Sequence, residues 1–430
     1  MAKKKKIQDN DRWYNFLRYY VDFVIKSSYS KIKYVGKERI PQDGAVIYAP
    51  NHTGTLMDAL VILAMDRKPK VFVARADIFR NPKLAKMLRF FKMLPIMRMR
   101  DGLDEVKKNN KIIEEAASVL KDKVPFCIFP EGKHQTKYSL QPISKGIFRI
   151  ALQAKELMPD TPLYIVPVGI RYGSFYRYRA SARVQIGNPI NVGEYMAQNE
   201  DKTPQEIMNM MRATLDERMK EALYYIPNDE HYDATYEICA VAAGECNNEL
   251  FVENNNTVNR ILELKNTNPE LAEKLFALGD EASKMRKAKK ISLKSVALRP
   301  SLFARLLRSL AILLMSPYVL ATIAFVLPKK LLCNAVFKKF KDQAFRNSVR
   351  LIVNLVIWPL LMIIYSAIAY ACLPWQWALP LTLALLPAPY VLHDIYKTSR
   401  MLKSNFKLYR YKALRAKYNE IKELLFSKES

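Results

Sequence analysis

Short apolar, β-branched runs alternate with amphipathic stretches through the first half of the chain. Strand-like runs fall at Ala45–Ala49, Val71–Ala74, Phe126–Phe129, Tyr164–Val168 and Val184–Ile186. Between them, apolar spacings of three and four predict helices at Leu56–Met65, Pro82–Leu88, Asp104–Lys121 and Lys145–Leu157. An amphipathic helix at Thr203–Tyr224 closes the region. That rhythm predicts an α/β domain over residues 36–225, with a sheet flanked by helices. Upstream, residues 1–35 open on Lys3–Lys6 and continue into a stretch where Trp13, Phe16, Leu17, Tyr20, Phe23 and Val24 share one helical face. Such a face serves equally as an interfacial anchor or as packing on the domain's own core, and residues 1–35 are read as an anchor helix. No apolar signal-peptide core accompanies the lysines, which speaks against secretion. Residues 226–300 read as a polar, helical linker without a motif.

The pattern then changes. Ser309–Leu327, Leu351–Cys372 and Trp375–Leu392 are runs of 19, 22 and 18 residues without a charge. A bilayer crossing needs about 20 apolar residues, so the second run is the strongest span. Leu373-Pro374 is expected to turn the chain into the third run, making a hairpin with Trp375 and Trp377 at the far interface. The first run is expected to be broken at Pro317; the basic residues on both of its sides argue against a lone crossing, so it is expected to be re-entrant or interfacial. Residues 301–395 are therefore read as membrane-associated or transmembrane, and 396–430 as a basic C-terminal helix.

Charge supports a membrane. The 430 residues carry 69 Lys and Arg against 41 Asp and Glu, a net charge of +28. Nine basic residues and no acidic one lie between Lys284 and Arg308. Lys338, Lys339, Lys341, Arg346 and Arg350 precede the second apolar run, and Lys397, Arg400, Lys403, Lys407, Arg410 and Lys412 follow the third. Basic clusters beside apolar segments mark the cytoplasmic side and bind anionic lipid, each charge contributing about 1 kcal/mol. No zinc-finger or RNA-binding signature accompanies them, so anionic membrane lipid rather than nucleic acid is the expected partner. An apolar share of 50% with 26% charged residues excludes a disordered chain and a polytopic transporter. Cys127, Cys239, Cys246, Cys333 and Cys372 are scattered, with no C-x-x-C, which supports neither a disulfide framework nor a cysteine zinc site.

Four histidines are candidates for proton transfer near neutral pH: His52, His134, His231 and His393. His52 follows the first strand-like run in Asn51-His52-Thr53-Gly54-Thr55-Leu56-Met57-Asp58, on a small-residue turn opening into a helix. Asp58 can hold its imidazole in one tautomer. The bland alternative is that Asn51 or Asp58 caps the helix. Phe129-Pro130-Glu131-Gly132 follows another strand-like run and places a carboxylate on the same rim. Leu94-Pro95-Ile96-Met97-Arg98-Met99-Arg100 offers guanidinium groups suited to phosphate. Val166-Pro167-Val168-Gly169 ends a further strand.

These four elements, in this order, resemble the glycerolipid acyltransferase family, the group containing 1-acylglycerol-3-phosphate acyltransferases. The resemblance covers about residues 34–190. It implies an O-acyltransferase that moves a fatty acyl group directly from acyl-CoA or acyl-carrier protein to the hydroxyl of lysophosphatidic acid or glycerol 3-phosphate. In that scheme His52 is the general base and Asp58 its holder, Arg98 with Arg100 grips the acceptor phosphate, and Glu131 and Gly132 position the acceptor. Asn51 and Pro130 belong to the same motifs, and Val168 and Gly169 shape the acyl or oxyanion side. No metal and no cofactor beyond the thioester co-substrate is implied. Five residues separate His52 from Asp58 where the family pattern has four, and one extra helical residue turns a side chain by about 100°. The pair therefore requires Thr53-Gly54-Thr55 to be non-helical. Five-residue spacers resemble a branch acting on glycerol 3-phosphate or dihydroxyacetone phosphate, as does Lys133-His134-Gln135 after Gly132. His134 is the rival base, with His52 favoured because Asp58 gives it an orienting partner. Three other readings compete: an acyltransferase for ornithine or glycine lyso-lipids, a thioesterase-like hydrolase, and a non-catalytic membrane tether.

Overall fold

The computed structural model describes residues 6–96, 109–244, 250–298 and 300–426. They group into two units, Met1–Leu223 with Cys333–Ile357, and Tyr224–Leu332 with Trp358–Ser430.

The first unit is built on a sheet of eight strands: β1 (Lys31–Val35), β2 (Ala45–Pro50), β3 (Val71–Arg75), β4 (Met93–Ile96), β5 (Phe126–Cys127), β6 (Leu163–Tyr172), β7 (Ser181–Ile186) and β8 (Ile190–Asn191). Their order is β1-β7-β6-β2-β5-β3-β4, with β8 also on β6. All pairs are parallel except β6 with β7 and with β8. Every residue of β2 is buried, as expected of a central parallel strand covered on both faces. Its alternation divides the core. Ala45, Ile47 and Ala49 meet Leu120, Phe148, Met211 and Leu215 on one side. Val46 and Tyr48 share the other with Val24, Ile25, Val61 and Ile62. Each large side chain so buried contributes about 1.5–3 kcal/mol. All five expected strands form. β1, β4 and β8 are additional, and β5 stops two residues earlier than expected.

The helices lie at Arg12–Ser27, Leu56–Leu63, Pro82–Phe90, Asn109–Lys121, Gly146–Leu157 and Pro204–Ala222, with a short one at Val192–Ala197. The last long one starts on a capping box, Thr203 with Glu206, and has Pro204 in its first turn. In Arg12–Ser27, Tyr14, Val24 and Ile25 are buried, whereas Trp13, Phe16, Tyr19 and Phe23 are exposed. The helix thus packs on the core with one face and presents aromatic rings with the other.

Residues 333–357 return to this unit from far along the chain. Helix Phe345–Ile352, extended by a π-turn at Val353–Ile357, places Leu351 in the core beside Tyr48 and Val166. Asn347 Nδ2 donates to the Phe175 carbonyl at 2.8 Å and Arg350 to that of Tyr176 at 2.9 Å. Thr55 and Ser348 hydroxyls meet at 2.9 Å.

In the second unit, helices Tyr232–Ala243, Leu250–Thr267, Pro269–Ala288, Leu293–Leu298 and Lys412–Phe426 share one core around Ile238, Val241, Leu275, Phe276, Leu414 and Ile421. Buried Glu237 is held there by Arg286 at 2.8 Å and the Tyr418 hydroxyl at 2.6 Å. The expected break at Pro317 does not occur: Leu302–Phe337 is one helix of 36 residues containing Pro317 and Pro328. Apolar helices tolerate proline where local adjustment re-satisfies the freed carbonyl. This helix and Phe345–Cys372 are, by length and composition, long and apolar enough to cross a membrane. The turn at Leu373-Pro374 is present, with helix Trp375–Leu385 beginning behind Pro374. A 44° bend then separates that helix from Ala388–Arg410.

Candidate active site

Because β2 and β5 are parallel neighbours, the segments leaving their C-terminal ends emerge on one rim of the sheet. Asn51-His52 leaves β2 and Glu131 follows β5. β6 runs alongside β2 and continues past its end, carrying Tyr172 to the same rim.

His52 Nδ1 lies 2.7 Å from Asp58 Oδ2. The spacing problem is solved by the backbone. Residues 53–55 are not helical, and Thr55 has φ 56° and ψ −124°, so the helix begins only at Leu56. Asp58 is fully buried and saturated: Oδ2 also accepts the N–H groups of Thr53 at 2.8 Å and Gly54 at 2.7 Å, and Oδ1 accepts the Tyr172 hydroxyl at 2.7 Å. Burial, with Asp58 and Tyr29 adding to it, pushes the Tyr172 phenol well above its usual range, which keeps it a donor. With Asp58 accepting at Nδ1, the tautomer inferred for His52 leaves Nε2 as the acceptor nitrogen. The ring is 20% exposed and stacks on Phe129, centroid to centroid at 4.4 Å.

Glu131 is placed as a brace. Its Oε1 accepts the His52 backbone N–H at 2.7 Å and its Oε2 that of Gln141 at 3.1 Å. Burial raises its carboxyl to about 7 against the opposing pull of those two N–H groups and of His52. The Gln135 N–H donates in turn to the His52 carbonyl at 3.0 Å, so the loop after β5 is laced to the turn after β2. Asn51 is equally structural. Its amide continues the β2–β6 ladder, donating to the Ile170 carbonyl at 3.1 Å and accepting the Ile170 N–H at 2.6 Å. The Pro130 carbonyl accepts from Ser144. Gly132 is exposed with φ 67°, a left-handed turn that glycine adopts without strain. Val168 is buried in the core. A Cβ on Gly169 would stand 2.0 Å from the Ala222 carbonyl, so this glycine admits the end of helix Pro204–Ala222 against β6. That packing is the contact the fold gives Gly169. Arg98 and Arg100 lie outside the described residues.

One relationship was not foreseen. His134 does have an orienting partner: its Nε2 lies 2.6 Å from Asp342 Oδ2, 208 positions away in sequence. Burial raises the Asp342 carboxyl, but the Ala344 N–H and the His134 ring outweigh it and hold it below its usual value. The His134 ring meets His52 edge-on at 5.7 Å and Phe345 at 5.6 Å. The returning segment thus forms one wall beside the His52 ring.

Residues 31–171 match the family model described as Acyltransferase. A 65-residue stretch is 35% identical to glycerol-3-phosphate O-acyltransferase 1 of Saccharomyces cerevisiae, covering 15% of this chain and 9% of that protein. A 271-residue stretch is 24% identical to glycerol-3-phosphate O-acyltransferase 2 of the same yeast, covering 56% of this chain and 35% of that one. The crystal structure of the 1-acyl-sn-glycerophosphate (LPA) acyltransferase from Thermotoga maritima aligns at 19% identity with a TM-score of 0.34, over 49% of this chain and 83% of that one. Residues 31–171 thus form an acyltransferase domain, and the chain is similar to glycerolipid acyltransferases. It spans no more than about a third of the length of the yeast relatives it matches.

Proposed function

We propose that this protein is a membrane-bound O-acyltransferase that moves a fatty acyl group from an acyl thioester, acyl-CoA or acyl-carrier protein, to a hydroxyl of a glycerol phosphate. Glycerol 3-phosphate is the acceptor favoured by the His52-to-Asp58 spacing and by the names of the yeast relatives. Lysophosphatidic acid is the alternative.

The observation that carries this reading is the imidazole of His52 fixed at 2.7 Å by a carboxylate that is itself held by three other donors. His52 Nε2 takes the acceptor's hydroxyl proton as the oxygen attacks the thioester carbon. The C–O bond forms, the C–S bond breaks, and the proton passes from Nε2 to the departing thiolate. General base catalysis of this kind contributes roughly 10²- to 10⁴-fold, and positioning supplies much of the rest. Asp58 and Tyr172 hold the ring. Glu131 fixes the backbone that carries it. Arg98 or Arg100 binds the acceptor phosphate, as the family resemblance implies.

The apolar helices keep the chemistry beside the bilayer. Leu313, Leu314, Leu320 and Ile363 on the two candidate spans are largely exposed, as lipid-facing side chains are. Extracting a long acyl chain into water costs about 0.8 kcal/mol per methylene, so a site at the interface avoids that penalty. The basic clusters favour a domain on the cytoplasmic face, against anionic lipid.

The test is acyl transfer by the purified full chain, with labelled acyl-CoA or acyl-carrier protein against glycerol 3-phosphate and lysophosphatidic acid in parallel. Formation of lysophosphatidic acid from glycerol 3-phosphate supports the reading. Transfer to lysophosphatidic acid alone moves the assignment to that acceptor, and thioester hydrolysis without transfer to either contradicts it.

A further inference from the structure

The helical unit contains a cavity of about 280 Å³ with no acidic residue in its lining. Arg305, near the start of helix Leu302–Phe337, and Arg415, near the start of helix Lys412–Phe426, both line it. Their guanidinium carbons lie 5.4 and 5.3 Å from the ring centroid of Tyr409, so one aromatic ring gathers two positive charges. Two like charges sharing a ring repel. Among the described residues neither has a carboxylate partner, and Glu237, which accepts from the lining residue Tyr418, is paired with Arg286.

Asn405 also lines the cavity and is only 5% exposed, yet neither its Nδ2 nor its Oδ1 has a protein partner. The Arg305 Nε is likewise buried and unpartnered. A buried amide left unpaired is costly, and here donor and acceptor are both unmet at one point. The donor set is therefore two guanidinium groups and an amide N–H, with one acceptor beside them. That set matches a phosphate bearing, or adjacent to, a hydroxyl: the oxyanion takes the guanidinium N–H groups and the amide N–H, and the hydroxyl donates to Asn405 Oδ1. A lone anion would leave that oxygen unmet.

We propose that this cavity binds the phosphate of a hydroxyl-bearing headgroup, a site separate from His52. The helix that contributes Arg305 also exposes Leu302, Phe303, Leu306 and Leu310. Acyl chains lying along that apolar surface would bring a lipid phosphate to the depth of Arg305. The shared chemistry is a phosphate, whether carried by an anionic glycerolipid or free in solution.

The test uses the full chain in detergent micelles, titrated by calorimetry with dioctanoylphosphatidylglycerol, whose phosphodiester and glycerol hydroxyls present the required groups but which is not an acyl acceptor of the proposed reaction. Saturable binding is expected, weakened at least tenfold by Arg415→Gln on the exposed rim and by the near-isosteric Asn405→Asp. Lys403→Gln removes the same charge outside the lining and should leave the affinity unchanged, which separates the site from diffuse attraction to a basic protein. The His52→Ala variant should bind as the wild type does, so the result does not depend on the acyl-transfer reading. Competition by inorganic phosphate at similar concentration would identify free phosphate as the ligand, and its failure to compete would identify the lipid. No saturable binding of either probe, or equal loss in Lys403→Gln and Arg415→Gln, would overturn the proposal. Should Asn405→Asp fail to fold, Arg415→Gln alone decides.

Discussion

The Tyr172 hydroxyl donates to Asp58 Oδ1 at 2.7 Å, joining the far end of β6 to the helix that follows the His52 turn. The bond leaves Oδ2 to the imidazole and to two backbone N–H groups. Tyr172→Phe removes one donor of four from a buried carboxylate while keeping the ring stacked on Tyr29. Loss of about 1–3 kcal/mol of stability is expected, with a fall in kcat and little change in acceptor KM. Urea unfolding and steady-state kinetics on the same preparation check it.

Gly54 sits against this bond. A Cβ there would stand 2.7 Å from the Tyr172 ring and 2.8 Å from Asp58 Oδ1. Gly54→Ala should therefore wedge the two apart, lowering kcat by at least about tenfold, since a small misplacement of catalytic groups is costly. Ala64→Gly, a substitution of similar size outside the turn, should leave kcat within about twofold, as expected away from the reacting groups.

The two histidines can be separated. The His134–Asp342 pair resembles His52–Asp58 in its parts, but Asp58 is fully buried and accepts four hydrogen bonds, whereas Asp342 is 46% exposed and accepts two. His52→Ala should lower kcat by roughly 10²- to 10⁴-fold, and Asp342→Asn by less than about tenfold. The reverse order, measured under saturating acceptor and donor, would make His134 the base.

Glu131 links pH to stability. Its carboxyl is raised from 4.5 to about 7, so between those values the folded state holds a proton that the unfolded chain has released. The resulting stabilisation is complete below about 4.5, declines as pH rises and is gone above about 7. Glu131→Gln abolishes this slope and places an N–H against one of the two backbone donors, at a cost of about 1–3 kcal/mol. Unfolding midpoints of the two proteins between pH 4.5 and 8 should converge as pH rises.

The central strands and most helices were legible because burial on both faces leaves unbroken apolar runs such as Ala45–Ala49. The strands that escaped are short or atypical: β1 alternates Lys31 and Lys33 with Ile32 and Tyr34, and β4 contains Pro95, which an edge strand tolerates. The His52–Asp58 contact was anticipated with its condition, a non-helical 53–55, but not its device. A positive φ at Thr55 is unusual for a β-branched residue, and local propensity does not signal it. The Asp342–His134 contact was invisible for a different reason. Hydropathy marks residues 338–350 only as a basic stretch before an apolar run, and nothing local shows that the stretch folds back onto the sheet's rim. Asn51 and Gly169 belong to recognisable motifs, but their packing roles depend on β6 and on helix Pro204–Ala222, neighbours set by topology.

The most direct test compares the wild-type chain with Asp58→Asn and His52→Ala in single-turnover transfer of a labelled acyl group to glycerol phosphate, with membrane association measured alongside. The account predicts that both variants stay membrane-associated and folded while the transfer step slows by roughly 10²-fold or more. Transfer at the wild-type rate by folded His52→Ala would contradict it.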